Sequence, residues 1–130
     1  MRILQPPGWP RPRGYSNGIM AEGRLVFVAG QIGWDETGAI GSDDLVDQLR
    51  QTLENTLAVL REAGAGPEHV TRMTWYVVDK RDYLACAREL GETYRAVMGK
   101  HYPAMAVVEV KALLEDRAKV EIETTAVVPK

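Results

Sequence analysis

Few side chains among these 130 residues carry groups that react near neutral pH. The two histidines, His69 and His101, are far apart in sequence and do not suggest a metal-ligand pair. The single cysteine, Cys86, has no C-x-x-C partner, and neither histidine belongs to an H-E-x-x-H motif. There is no G-x-S-x-G elbow for a nucleophilic serine. Gly99-Lys100 is followed by His101, where a phosphate loop needs serine or threonine. Gly30 and Gly33 do not open a helix, which leaves a dinucleotide site without support. Cys86 falls inside a helical segment, where a small packing residue is the commoner reading than a nucleophile. No metal and no cofactor is expected.

What remains is a set of residues at strand ends. Tyr15-Ser16 opens one strand, Ala29-Gly30-Gln31 closes another, and Tyr102-Pro103-Ala104 precedes a third. The last strand carries Lys119-Val-Glu121-Ile-Glu123. A glycine lets backbone approach a ligand closely, and a carboxylate on a sheet face can hold and polarise a water. Each feature also has a plain structural reading. Glu121 and Glu123 can be solvated strand residues, and Tyr15 can pack at an edge. Trp34 and Trp75 are core aromatics or pocket walls. Arg72 is a surface ion-pair partner or a cation offered to a ligand.

The elements that must position these residues follow from pattern. Gln5 to Gly14 contains Pro6, Pro7, Pro10 and Pro12, so residues 1–14 read as an irregular arm. Leu25-Val-Phe-Val-Ala29 reads as a buried strand, with Glu22-Gly23 turning it back on a preceding strand as a hairpin. Ser42-Asp43-Asp44 starts a helix whose stripe is Leu45, Leu49, Leu53, Leu57 and Leu60, ended by Gly64. Val70 to Val78 is a strand with Met73, Trp75 and Val77 on one face. A second helix spans about Asp82 to Met98, burying Tyr83, Ala87, Leu90, Tyr94 and Val97. Met105 to Ala112 and Ala118 to Val128 are the closing strands. The order predicts one α+β domain over residues 1–130, a sheet with both helices on one face. The other sheet face is either solvated or packed against further subunits.

Composition agrees with a folded chain. Hydrophobic residues make up 45% and charged residues 26%, enough to fill a core and stay in solution. The formal charge of −2 argues against general nucleic-acid binding, which depends on neutralising phosphates. One cysteine cannot form an internal disulfide. No apolar run approaches a membrane span and the N-terminal residues do not follow a signal-peptide pattern, so the expected location is cytoplasmic.

From Tyr15 to Val127 the chain resembles the Rid family, the YjgF-like reactive-intermediate deaminases. The resemblance rests on Ala29-Gly30-Gln31, Gln51-Thr-Leu-Glu-Asn55, Ala63-Gly64, Tyr102-Pro-Ala104 and Lys119-Val-Glu-Ile-Glu123. It implies a chorismate-mutase-like α+β fold with one mixed sheet, and a homotrimer whose sheets line a central barrel. It also implies small-molecule clefts between subunits and metal-independent hydrolysis of enamines or imines. Tyr15 matches a cleft tyrosine, Gly30 the strand-end glycine and Glu121 a water-positioning glutamate. Ala29 stands where many members have serine, and Gly91 falls near an expected asparagine. Met105 occupies the place of the arginine that grips a substrate carboxylate. Methionine offers neither charge nor donor, and losing the arginine fork in a partly desolvated pocket costs about 2–5 kcal/mol in binding a carboxylate. A different ligand, or poorer binding of the same class, is therefore expected. The alternatives carried forward are a trimeric small-molecule binder without turnover and, less favoured by the charge, an endoribonuclease or translation inhibitor.

Overall fold

The leucine stripe organises the structure, a computed structural model that describes residues 1–130. Helix α1 (Leu45–Glu62) begins at Asp44, whose carboxylate accepts from the Asp47 amide at 3.0 Å. It ends where Gly64 adopts φ +69°, which lets the Gly64 and Ala65 amides reach back to Arg61 and Leu60. Leu45, Leu49, Leu53, Leu57 and Leu60 are all buried. At roughly 1.5–3 kcal/mol for each fully buried aliphatic side chain, this stripe is a main source of core stability.

The stripe packs on a four-stranded mixed sheet of order β3-β6-β4-β5. These strands are β3 (Arg24–Gln31), β4 (Val70–Val77), β5 (Ala104–Glu109) and β6 (Val120–Val128). β6 runs antiparallel to both β3 and β4, and β4 runs parallel to β5. Met73, Trp75, Val77, Val120, Ile122, Thr124 and Ala126 turn towards the helices and are buried. On the opposite face, Leu25 is 61% exposed and Phe27 is 72% exposed.

The run Leu25–Ala29, expected to be a buried strand, is covered on one face only, with Leu25, Phe27 and Ala29 exposed. Three further expectations need correction. The proline-rich arm is not wholly irregular: β1 (Arg2–Leu4) pairs antiparallel with β2 (Gly18–Met20). Prolines fill only the connection between them, which Gln5 braces through Asn17, Trp9 and Pro10. The partner of β2 is therefore β1, not β3, and Glu22-Gly23 does not turn a β2–β3 hairpin. Gly23, at φ +150°, instead passes so close to Val128 that a Cβ would lie 2.2 Å from its carbonyl oxygen. The second helix is split into α2 (Lys80–Ala85) and α3 (Ala87–Met98). Cys86, at φ −116° and ψ 23°, interrupts it, and Asp79 caps α2. The break leaves Ala87 exposed instead of buried.

Polar side chains on the buried side of α1 tie it to the loops that carry the strand ends. The Gln48 amide donates to the carbonyls of Ser42 at 2.9 Å and Arg117 at 3.0 Å, and accepts from the Lys119 amide at 2.8 Å. Gly33 lies against it so closely that a Cβ would sit 2.9 Å from the Gln48 backbone. Asn55 donates to the carbonyls of Ile32 and Trp34, and Gln51 holds Asn55 in place at 2.9 Å. The Gln51–Asn55 segment thus fastens the loop that leaves β3. Replacing Gln48 by leucine keeps the volume but strips partners from buried backbone groups. Urea unfolding of Gln48→Leu is expected to show a loss of about 1–3 kcal/mol.

Candidate functional site

Beside the parallel β4–β5 pair, α2 and α3 enclose a pocket of about 500 Å³. Its walls are Trp75 from β4, Tyr83 from α2, Leu90, Gly91 and Tyr94 from α3, and Tyr102, Met105 and Val107 from the β5 side. Arg13, Gly14 and Tyr15 border it from the end of the arm, and Arg95 from α3. Tyr15 is brought there because the amide of Ser16 donates to the Pro103 carbonyl at 2.9 Å. The Ser16 hydroxyl donates to the Tyr102 carbonyl. Tyr94 stacks on Tyr102 with ring centroids 5.7 Å apart and tilts against Trp75 at 6.1 Å. Burial pushes the Tyr94 phenol far above the ordinary range, so it stays protonated and donates to the His101 carbonyl. Burial also raises Tyr83. The pocket therefore presents aromatic and aliphatic walls, with Arg13 and Arg95 among the residues at its border. A smaller hollow of about 300 Å³ shares Tyr15 and Met105 and reaches Arg72 on the outer face.

Glu121 and Gly30 form a second group at the other side of the sheet. A Cβ on Gly30 would lie 2.4 Å from the Glu121 carboxylate oxygen, so the carboxylate occupies space that only glycine leaves. The β3–β6 pairing is irregular between Val28 and Gln31, which brings the Gly30 backbone to this position. Tyr76, the cross-strand neighbour of Glu121, gives its hydroxyl to Glu123 at 2.6 Å. That hydrogen bond, then burial, raises the Tyr76 phenol. Glu121 is left half-buried with no donor from its own chain. Ala29 lines the outer face beside Phe27, Arg72, Tyr76 and Glu123.

Tyr15, Gly91 and Met105 thus come together, and so do Gly30 and Glu121, but the two groups do not meet within one chain. Gly30 on β3 stands three strand spacings, roughly 14 Å, from Met105 on β5, and Glu121 on β6 stands two, roughly 10 Å. Glu121 also points to the outer face while Met105 points to the helices. Through β4, Glu121 pairs with Tyr76 and Met105 with Met73, an offset of roughly 10 Å along the strands. Other candidates have settled roles. Burial pushes the Cys86 thiol up, nearby acidic groups add to the shift, and the thiol donates to the Asp82 carbonyl at 3.1 Å. His69 Nδ1 accepts from the Gly66 amide. Trp75 is both core and pocket wall, whereas Trp34 lies outside the pocket, bridged to Ile40 and accepting from Asn55 through its carbonyl. Arg72 joins none of the ion pairs, contrary to its surface-pair reading. Arg13 and Arg95 were not singled out from the sequence; a cation one helical turn beyond the Gly91 gap was the available signal.

A mixed sheet backed on one face by two helices, with separate groups of candidate residues towards its two edges, defines the small α+β class of Rid-type proteins. The chain belongs to the Endoribonuclease L-PSP family, whose sequence profile matches residues 10–128. It is 40% identical over 119 residues to a RutC family protein from Pyrococcus horikoshii, covering 90% of both chains. It is 37% identical over 109 residues to a Salmonella typhimurium protein named 2-iminobutanoate/2-iminopropanoate deaminase, covering 81% of this chain and 80% of the other. The crystal structure of YyfB, a Rid-family protein from Yersinia pestis, superposes with a TM-score of 0.87 at 32% identity, covering 98% of each chain. No helix is long and apolar enough to cross a membrane.

Gly30→Ala tests the contact with Glu121. The added methyl must displace a flexible carboxylate and not backbone, so the fold is expected to survive with a thermal midpoint within about 4 °C. The Glu121 carboxyl resonance should shift in side-chain NMR; an unmoved resonance would mean the contact is absent in solution.

Proposed function

We propose that this chain is a hydrolytic deaminase of small imines or enamines, acting without a metal at clefts completed between the subunits of a homotrimer. The observation that carries the reading is Glu121: a half-buried carboxylate, unclaimed by its own chain, seated over a glycine. Such a group can accept a proton from water as the water oxygen bonds to the imine carbon. The C=N electron pair moves to nitrogen, which takes a proton. The carbinolamine then loses its hydroxyl proton to solvent and its C–N bond breaks, leaving a carbonyl, while Glu121 returns the proton it took to the departing ammonia. Gly30 leaves room for this carboxylate, Ala29 continues the same strand end, and Tyr15, Gly91 and Met105 supply the wall that holds the rest of the substrate.

Assembly is part of the proposal because the two groups of residues stand apart in one chain. The exposed Leu25 and Phe27 on the sheet face without helices support it, since a sheet face with large apolar side chains gains from being covered. The relationship to a deaminase of 2-imino acids supports the reaction class. A net charge of −2 favours it over the ribonuclease reading.

Imines generated in situ by an amino-acid oxidase, with their decay followed, provide the assay. Wild type should accelerate decay, and Glu121→Ala should lower kcat by about 10²–10⁴ with little change in stability. Full activity of Glu121→Ala would overturn the assignment.

Light scattering at micromolar concentration should give about three times the 14.4 kDa subunit mass. Phe27→Asp, a charge on the covered face, should yield monomers without turnover. A wild-type chain that stays monomeric and active would remove the shared cleft.

A further inference from the structure

We infer that Arg95 is the specificity-determining residue that holds a substrate carboxylate, in place of the charge that Met105 does not carry. This rests on reading the aromatic pocket as part of the substrate cleft. Gly91 lies inside α3, where glycine is a poor helix former, and it has no positive φ that would call for glycine. Its backbone thus does not explain the residue. The distance shows where the guanidinium lies: the nearest group to a Cβ built at Gly91 is the Arg95 Nη1, at an ordinary contact distance of 3.9 Å. Arg95 sits one turn later on the same helix face, and its guanidinium folds back towards Gly91. Both residues border the pocket together with Tyr15 and Met105.

The charge of Arg95 is also free. It takes part in neither of the ion pairs, Arg88–Glu92 and Arg117–Asp43, whereas Arg88 on the same helix is engaged by Glu92 at 3.2 Å. A guanidinium presents a planar fork that matches a carboxylate through two charge-assisted hydrogen bonds. Beside it the walls are Trp75, Tyr83, Leu90, Tyr94 and Tyr102, which suit a hydrocarbon tail. The ligand class is therefore a carboxylate-bearing imine with an apolar side chain. Two other cations are near. Arg13 is on the arm, and Arg72 lies on the outer face in the hollow that shares only Tyr15 and Met105 with the pocket. Neither lies beside Gly91 as Arg95 does.

Calorimetric titration with 2-oxobutanoate, the stable oxo counterpart of an imino acid, against its methyl ester isolates the carboxylate contact without any turnover. Wild type should prefer the acid by about tenfold or more. Arg95→Gln should erase that preference with an unchanged thermal midpoint, since the side chain is exposed, and Arg95→Lys should keep part of it. Adding Met105→Arg to Arg95→Gln should bring the preference back. Arg13→Gln and Arg72→Gln should retain it. The proposal is overturned if wild type does not distinguish acid from ester, or if Arg95→Gln still does. It is equally overturned if Arg13→Gln or Arg72→Gln is the variant that loses the preference. A double variant that stays indifferent would place the contact away from Met105 and sink the assignment. Loss of acid preference in Arg95→Gln alongside full turnover by Glu121→Ala would leave this contact standing and remove the hydrolase reading. The reverse pair of results would do the opposite.

Discussion

The Gln48 side chain is the constraint on which the rest of the site depends. It is buried at the start of α1, and all its hydrogen bonds go to backbone groups of two different loops. Through Ser42 it fixes the entry to the helix, and through Arg117 and Lys119 it fixes the point at which β6 begins. A strand that slips by one residue turns every side chain to the other face. Anchoring Lys119 therefore decides that Glu121 faces outward while Val120 and Ile122 face the core. Gly33 packs against the same residue, and Asn55 holds Ile32 and Trp34, so the exit of β3 is tied to the same helix. Gly30 and Glu121 meet because both of their strands are referenced to one rigid element.

Much of this architecture was legible in the residues. The leucine stripe, the capping acid and Gly64 specify α1, and the alternation through Val120, Ile122 and Ala126 specifies β6 and its two faces. These signals are local and repeated, so they survive without knowledge of the partners. The β1–β2 pairing was not legible, because Arg2–Leu4 is too short for a period and the prolines after it mask the strand. The break at Cys86 was hidden as well: no glycine or proline marks it, and apolar spacing continues across it. Gln48 and Asn55 were visible only as polar residues on the buried side of a helix. Their partners are distant backbone groups that sequence spacing cannot reveal.

The candidate site shows the same division. Glycine at 30 and glutamate at 121 were legible as strand-end features, and the structure places them in contact. Met105 was legible as a missing charge, but what stands near it depends on how α3 is rotated and on a side chain folding back along its own helix. Arg95 becomes conspicuous only when its guanidinium is seen to lie beside Gly91 at the pocket. The one wall residue from α2, Tyr83, was legible as an apolar-face position.

The placement of Tyr15 and Met105 towards one sheet edge and of Gly30 and Glu121 towards the other has a genetic corollary. If neighbouring copies supply opposite halves of each cleft, every working cleft needs one intact edge from each of two chains. Two alleles, one defective only at Glu121 and the other only at Tyr15, would each be null alone. Co-expressed, their products would form mixed rings in which an undamaged edge of one chain faces an undamaged edge of the other. Such a pair would complement within a single gene, and the doubly damaged clefts formed alongside would not poison the sound ones.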